Sequence, residues 1–325
     1  MVGEAAVALV ELRKVYRSTR GFFKREKSET TALAGIDLEI APGELFGLLG
    51  PNGAGKTTMV KILTTLLLPT SGRATILGHD VTRDLGLVRR RIGFVFGGDR
   101  GLYTRLSGLD NLRYFADLYS IPPEVSRRRI AELLERFDLK ARQHDKVERY
   151  SRGMKQRLHL ARGLLHDPAV LFLDEPTIGL DPVGARELRL LVSELVQRGK
   201  TVFLTTHYMF EADEICDRIA VINKGRIIAE GTPASLKHNV EDVGVVEFEV
   251  EGIPPARVEA LRRLGGVTSV ILANRELTQL VTMHCAQPGD LVSQLSRLLE
   301  GLRYREVRVR EPTLEDAYVR LVTQE

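Results

Sequence analysis

Glu44-Leu45-Phe46-Gly47-Leu48-Leu49 runs without a break into Gly50-Pro51-Asn52-Gly53-Ala54-Gly55-Lys56-Thr57-Thr58. The first six residues are an apolar run of strand length, entered from a Pro42-Gly43 turn, and read as a strand buried on both faces. Beyond the glycines, Met59 to Leu68 keeps helical apolar spacing until Pro69 stops it. Strand, glycine loop and helix in that order make a phosphate cradle. Glycines let the backbone curl so that N–H groups converge on phosphate oxygens, and the helix adds its positive dipole end. Gly50, Asn52, Gly53, Ala54, Gly55, Lys56, Thr57 and Thr58 are therefore candidate nucleotide contacts. Lys56 is placed to reach the β- and γ-phosphates, and the Thr57 hydroxyl to ligate Mg²⁺.

Two later strand ends complete the pattern. Val170-Leu171-Phe172-Leu173 is a second buried run, and two acids, Asp174 and Glu175, emerge at its carboxyl end. Ligands of open α/β sheets bind at that end. Asp174 suits a Mg²⁺ ligand and Glu175 the general base that polarises an attacking water. His207 follows a third run, Val202 to Thr206, and is a candidate γ-phosphate contact. Alone, an acidic strand end is a solvated turn and a single histidine is a surface residue. Beside a phosphate loop the three form a catalytic set: Glu175, His207 and Lys56.

Outward from this centre, Val7 to Tyr16 reads as an edge strand and Leu33 to Ile40 as an alternating strand. Leu109 to Ala161 is helical, broken at Pro122-Pro123. Short buried strands spaced by helices predict an α/β fold with a mainly parallel sheet and a helical subdomain near 99–165. Composition shifts across Lys237 to Gly244, so the first domain is expected over 1–238 and a smaller one over 239–325. The tail reads strand (245–251), helix (255–264), strand (267–273), strand (277–283), helix (291–302), strand (304–309), which is the ferredoxin-like α+β order. Leu314 to Val322 adds a last helix.

The 325 residues are 43% hydrophobic and 28% charged, with 47 basic against 43 acidic side chains. A net charge of +4 is no argument for nucleic acid, and none is expected as a partner. Cys216 and Cys285 lack paired spacing, which excludes a disulfide framework or a cysteine metal site and fits a reducing cytosol. Neither a secretory signal nor an apolar stretch near the ~20 residues of a membrane span is present. If the chain serves a membrane, another polypeptide supplies the channel.

The phosphate loop, Ser151-Arg152-Gly153-Met154-Lys155-Gln156-Arg157, the Asp174-Glu175 pair, Gly179-Leu180-Asp181-Pro182 and His207 stand in the order found in the ATP-binding cassette (ABC) transporter ATPases. The resemblance covers roughly residues 7 to 235, and its most specific part is the signature-like segment from Ser151. It implies an ATP-hydrolysing subunit that pairs head to tail, as a homodimer or with a second cassette, on an integral membrane permease. It also implies ATP and Mg²⁺ at the site and a place on the cytoplasmic face of the cell membrane. Ser151, Gly153 and Met154 match the signature that caps the partner's ATP, Asp181 the acid that links the two sites, and Tyr16 the aromatic that stacks on adenine.

The chain departs from the family twice: Arg152 replaces a glycine of the signature, and Gly97 stands where the family has a glutamine, with Asp99 two residues on. Together with Glu311-Pro312-Thr313-Leu314-Glu315-Asp316-Ala317-Tyr318, these resemble the daunorubicin-resistance type, which implies export of a drug, antibiotic, lipid or polysaccharide. The basic stretch 17–27 around Phe22-Phe23 suits either a membrane interface or a solvated loop. A non-transport cassette ATPase and an ATP-binding regulatory module are the alternatives from other classes. The first usually carries two cassettes or a coiled coil, and neither is visible here. The second is opposed by the presence of Glu175 and His207.

Overall fold

A computed structural model describes residues 5–20, 26–96, 101–238, 244–275, 277–286 and 288–323. Gly97, Asp99 and the Phe22-Phe23 pair lie outside the described residues. The chain divides into two compact units, Met1–Thr232 and Pro233–Glu325.

In the first unit, β1 (Val7–Arg20) and β2 (Glu26–Ile40) form a long antiparallel hairpin. Its arms extend past the strand ends read from sequence, with Arg17 opposite Glu29 and an ion pair of 2.8 Å between them. β3 (Leu45–Leu49) leads into α1 (Lys56–Leu63). The helix is displaced toward its N-terminus from the expected Met59–Leu68. Thr64 back-bonds to the Val60 carbonyl at 2.8 Å, Thr65 turns left-handed at φ 62°, and both Leu66 and Leu67 amides fall on the Lys61 carbonyl. The apolar spacing thus continues past the helix as a wound turn with Leu66 and Leu68 exposed.

β4 (Ser71–Ile76) and β5 (His79–Asp80) add to the hairpin, giving an antiparallel sheet of order β2-β1-β4-β5. After α2 (Leu85–Arg91) and β6 (Ile92–Phe96) come α3 (Gly108–Leu118), α4 (Pro123–Arg136) and α5 (Arg152–Gly163). Pro123 opens α4, where its missing N–H costs nothing. β7 (Val170–Asp174), α6 (Pro182–Gln197), β8 (Thr201–Thr206), α7 (Met209–Ile215), β9 (Arg218–Asn223) and β10 (Arg226–Gly231) finish the unit.

The central sheet has the order β10-β9-β3-β8-β7-β6, parallel from β9 to β6 with β10 antiparallel at the edge. Parallel neighbours need crossovers, and the helices supply them on both faces. That is why β3, β7 and β8 are buried at every position. Phe46, Phe172 and Phe203 meet across these strands with ring centroids 5.6 Å apart. Each such ring removed from water contributes about 1.5–3 kcal/mol. The parallel run points the ends of β3, β7 and β8 to one edge, where Leu49, Asp174 and Thr206 stand.

The second unit opens with α8 (Pro233–His238), which packs on the last helix, α11 (Leu314–Thr323). Between them lie β11 (Gly244–Val250), α9 (Pro255–Arg262), β12 (Val267–Asn274), β13 (Gln279–Cys285), α10 (Pro288–Leu298) and β14 (Arg308–Arg310). Its sheet is antiparallel, in the order β12-β13-β11-β14, the ferredoxin-like arrangement. Val246, Phe248, Val281 and Met283 face the α9–α10 core. On the other side of β11 and β13, buried His284 and Asp316 join Arg310 and Glu247 in one polar cluster. Among the described residues, no helix is long and apolar enough to cross a membrane.

Candidate active site

The phosphate loop is shaped by its glycines. Gly53 and Gly55 take φ values of 84° and 115°. A Cβ on Gly55 would meet the Ala32 carbonyl at 2.4 Å, so the loop closes onto β2 only without a side chain there. α1 begins at Lys56 with no side chain capping Gly55. Its first amides therefore have no intrahelical acceptor, and the helix dipole favours an anion beside them. Asn52, Gly53, Lys56, Thr57 and Thr58 line a cavity of about 240 Å³ together with Glu175 and His207.

The charged groups converge on this cavity. Lys56, 5% exposed, donates to the Gly50 carbonyl at 2.6 Å and lies 3.3 Å from Glu175 Oε1. The Thr57 hydroxyl donates to Asp174 Oδ2 at 3.0 Å, and the Thr205 hydroxyl donates to Asp174 Oδ1 at 2.5 Å. Asp174 is 6% exposed, so these two hydroxyls fix the orientation of a buried carboxylate. Carboxylate and hydroxyl 3.0 Å apart are an all-oxygen donor pair of the kind a hard dication such as Mg²⁺ takes.

Glu175 sits in the left-handed region at φ 53°, a conformation that costs a residue with a Cβ about 1–2 kcal/mol. Its amide donates to the Thr205 carbonyl at 3.0 Å, which holds the turn. The result aims the carboxylate back over the loop, where its Oε2 is hydrogen-bonded to His207 Nδ1. Tyr16 stands at the rim, 41% exposed, with its hydroxyl 3.4 Å from the Thr58 hydroxyl.

Ser151, Gly153, Met154 and Asp181 gather elsewhere. With Arg152 and Arg157 they line a second cavity of about 380 Å³ that shares no residue with the first. Ser151 caps α5, accepting from the Met154 amide at 3.2 Å, and Asp181 caps α6, accepting from the Gly184 amide at 2.8 Å. Within one chain the fold thus unites Tyr16, the loop, Asp174, Glu175 and His207, and keeps the signature segment and Asp181 apart from them. Ala32 and Ile178 also line the first cavity, and Thr205 orients its acid. Their apolar or hydroxyl side chains carry no spacing signal, so only the folded chain reveals them.

Comparison with known proteins places this geometry. Residues 33–178 match the ABC transporter family. The daunorubicin resistance ATP-binding protein DrrA3 of Streptomyces coeruleorubidus is 43% identical over 92% of this chain and 93% of its own length. The linearmycin resistance ATP-binding protein LnrL of Bacillus subtilis is 33% identical over 92% and 96% of the two chains. Among solved structures, a dimeric ATP-binding cassette in a post-hydrolysis state, bound to ADP and phosphate, aligns with a TM-score of 0.61 at 30% identity, covering 70% of this chain and 98% of that one. CbiO1 of Clostridium perfringens, part of the ABC transporter complex cbiONQ, aligns with a TM-score of 0.62 at 29% identity over 72% and 90%. With a phosphate loop, an acid pair and a histidine on one sheet edge, and relatives 33–43% identical over more than nine-tenths of both chains, the chain belongs to the ABC transporter family as one of its ATP-binding, ATP-hydrolysing subunits.

Proposed function

We propose that this subunit powers export of a drug- or antibiotic-like molecule through a separate membrane permease, working as a head-to-tail dimer on the cytoplasmic face of the membrane. The observation that carries the hydrolytic part is the Glu175 carboxylate, held between Lys56 and His207 at the mouth of the phosphate loop. The free loop amides between Gly53 and Thr58 and the Lys56 ammonium hold the β- and γ-phosphates. Tyr16 stacks on the adenine. Thr57 and Asp174 hold Mg²⁺, which draws charge off the phosphate oxygens when bound. Glu175 takes a proton from the attacking water as the water oxygen bonds to the γ-phosphorus and the bond to the β-phosphate oxygen breaks, leaving ADP and phosphate. His207 steadies the carboxylate and contacts the γ-phosphate.

Ser151, Gly153, Met154 and Asp181 lie in a cavity apart from their own phosphate loop, which suits a role on the ATP of the partner copy. The amino end of α5 brings a positive dipole to that contact. ATP-driven closure and hydrolytic reopening would then bend the permease between two states. The drug class rests on relatives named for resistance to daunorubicin and linearmycin. The ferredoxin-like tail serves as a structural accessory to the cassette.

The test is ATP turnover of the purified subunit, with and without its permease, beside Glu175→Gln. Loss of the base should lower turnover about 10²–10⁴-fold while ATP binding and ATP-driven dimerisation persist. Turnover that survives the substitution overturns the assignment of Glu175. Absence of turnover in the native protein with its permease moves the subunit to the ATP-binding regulators.

A further inference from the structure

Arg162 is the one buried guanidinium of the signature helix whose bonds all go to backbone. It stands near the end of α5, eleven residues and so about 16 Å along the helix from Ser151. The residue is 7% exposed, and among the described residues no carboxylate pairs with it. Its Nη1 donates to the Gly101 carbonyl at 2.6 Å and its Nη2 to the Phe94 carbonyl at 3.3 Å. The guanidinium lies 5.1 Å from the centroid of Phe115 and 5.8 Å from that of Phe94. Burial pulls its pKa down from the ordinary arginine value.

Burying a guanidinium costs desolvation, which its bonds to carbonyls must offset where no carboxylate among the described residues does so. These bonds join three elements. Phe94 belongs to β6, which pairs in parallel with β7 so that Phe96 lies opposite Asp174. Gly101 opens the segment that leads to α3, and Phe115 lies on α3. Gly101 holds φ 97°, a conformation that favours glycine, and a Cβ there would press on Arg162 Nη1 at 2.4 Å. A planar fork with several donors can hold two carbonyls at once; a lysine can hold one.

We infer that Arg162 is a positioning residue for hydrolysis: it fixes the angle of the signature helix against the β6–β7 pair that carries the catalytic acids. This rests on the proposed action of Ser151 and Gly153 on the partner's ATP. A helix pinned at its far end presents its first turn in one place, and a small rotation at Arg162 becomes a displacement of several ångströms at Ser151 by simple leverage over about 16 Å. ATP affinity resides in the phosphate loop and Tyr16, away from this lever. The variant should therefore separate turnover from binding.

The experiment compares Arg162→Met and Arg162→Lys with the native chain in kcat, KM for ATP, binding of a fluorescent ATP analogue, and thermal melting. Expected for Arg162→Met is a fall in kcat of about tenfold or more with KM and analogue affinity within about twofold. Arg162→Lys should recover part of that loss, because an ammonium keeps one carbonyl bond. Unchanged kcat in either folded variant overturns the inference. So does a parallel loss of kcat, analogue affinity and melting temperature in Arg162→Lys, which marks a purely structural role. Should Arg162→Met fail to fold, the Lys variant alone decides by the same split. Glu175→Gln in the same assay tests the catalytic reading separately, since the ratio of variant to native turnover reads Arg162 whichever group is the base.

Discussion

Thr205→Val removes a single hydroxyl and keeps the shape of a fully buried strand residue. That hydroxyl donates to Asp174 Oδ1 at 2.5 Å. Valine retains the β-branch and the strand, and the Glu175 amide keeps its 3.0 Å bond to the Thr205 carbonyl. The loss is thus one hydrogen bond to a buried carboxylate, about 1.5–3 kcal/mol, together with the 3.2 Å contact that the same hydroxyl accepts from the Glu175 amide. At about 2–4 °C per kcal/mol for a domain of this size, melting should fall by about 3–12 °C. Asp174 is then held only by Thr57 at 3.0 Å, and its carboxylate gains freedom to rotate. Outer groups of this kind are worth about 10–100-fold in metal affinity, so the Mg²⁺ needed for half-maximal turnover should rise by that factor. The assays are calorimetric melting without nucleotide and ATP turnover against free Mg²⁺ at saturating ATP. Thr206→Val is the control: its hydroxyl bonds Glu211 at 3.0 Å, so it should lower melting and leave the Mg²⁺ dependence alone. A Thr205→Val protein with native Mg²⁺ dependence, or one matched by Thr206→Val in both readouts, refutes the reasoning.

Tyr16→Ala should raise KM for ATP about 2–10-fold with kcat unchanged, the loss of one aromatic stack, and steady-state kinetics will show whether the two parameters separate in that way. Asp316→Asn should destabilise the second unit by about 1.5–3 kcal/mol, because Arg310 loses a buried partner at 2.6 Å and keeps Glu247 at 2.7 Å; chemical denaturation followed by fluorescence measures it. The same residue sets a pH dependence. Burial opposes its ionisation, but hydrogen bonds from His284, Arg310 and Thr313 outweigh burial and hold its carboxyl far below the ordinary carboxylate range. A depressed folded pKa means that the stability is complete above the unfolded pKa, about 3.9, and is lost as pH falls below it. The stability gap between native protein and Asp316→Asn should therefore stay flat from neutral pH down to about 5 and narrow in more acid solution.

Local chemistry explains why so many residues of the candidate site stood out before the fold brought them together. A phosphate cradle needs glycines, a lysine and a hydroxyl at fixed spacing, and strand ends carry their acids where apolar runs stop, so Gly50 to Thr58, Asp174, Glu175 and His207 stand out in the chain. The alternation in the tail likewise yields its strand and helix order, which the sheet order β12-β13-β11-β14 completes. Where local signals compete, the reading slips. The apolar spacing of Leu66 to Leu68 mimics helix, yet Thr64 and Thr65 end α1 at Leu63, because a back-bonding hydroxyl and a left-handed turn override spacing. The antiparallel sheet of β1, β2, β4 and β5 is hard to read because pairing between distant segments leaves little mark on either one.

By itself the sequence named the candidates for the chemistry, residues of the types that cradle phosphate, bind a hard cation and take a proton, since these depend on residue type and spacing along the chain. Only the tertiary structure decided their company. It set Glu175 between Lys56 and His207, gave Asp174 its second hydroxyl from Thr205, separated the signature segment from its own phosphate loop and tied Arg162 to Phe94 and Gly101. Those contacts join residues tens of positions apart, and their distances follow from how the parallel strands stack and the helices cross over them, which local sequence does not encode.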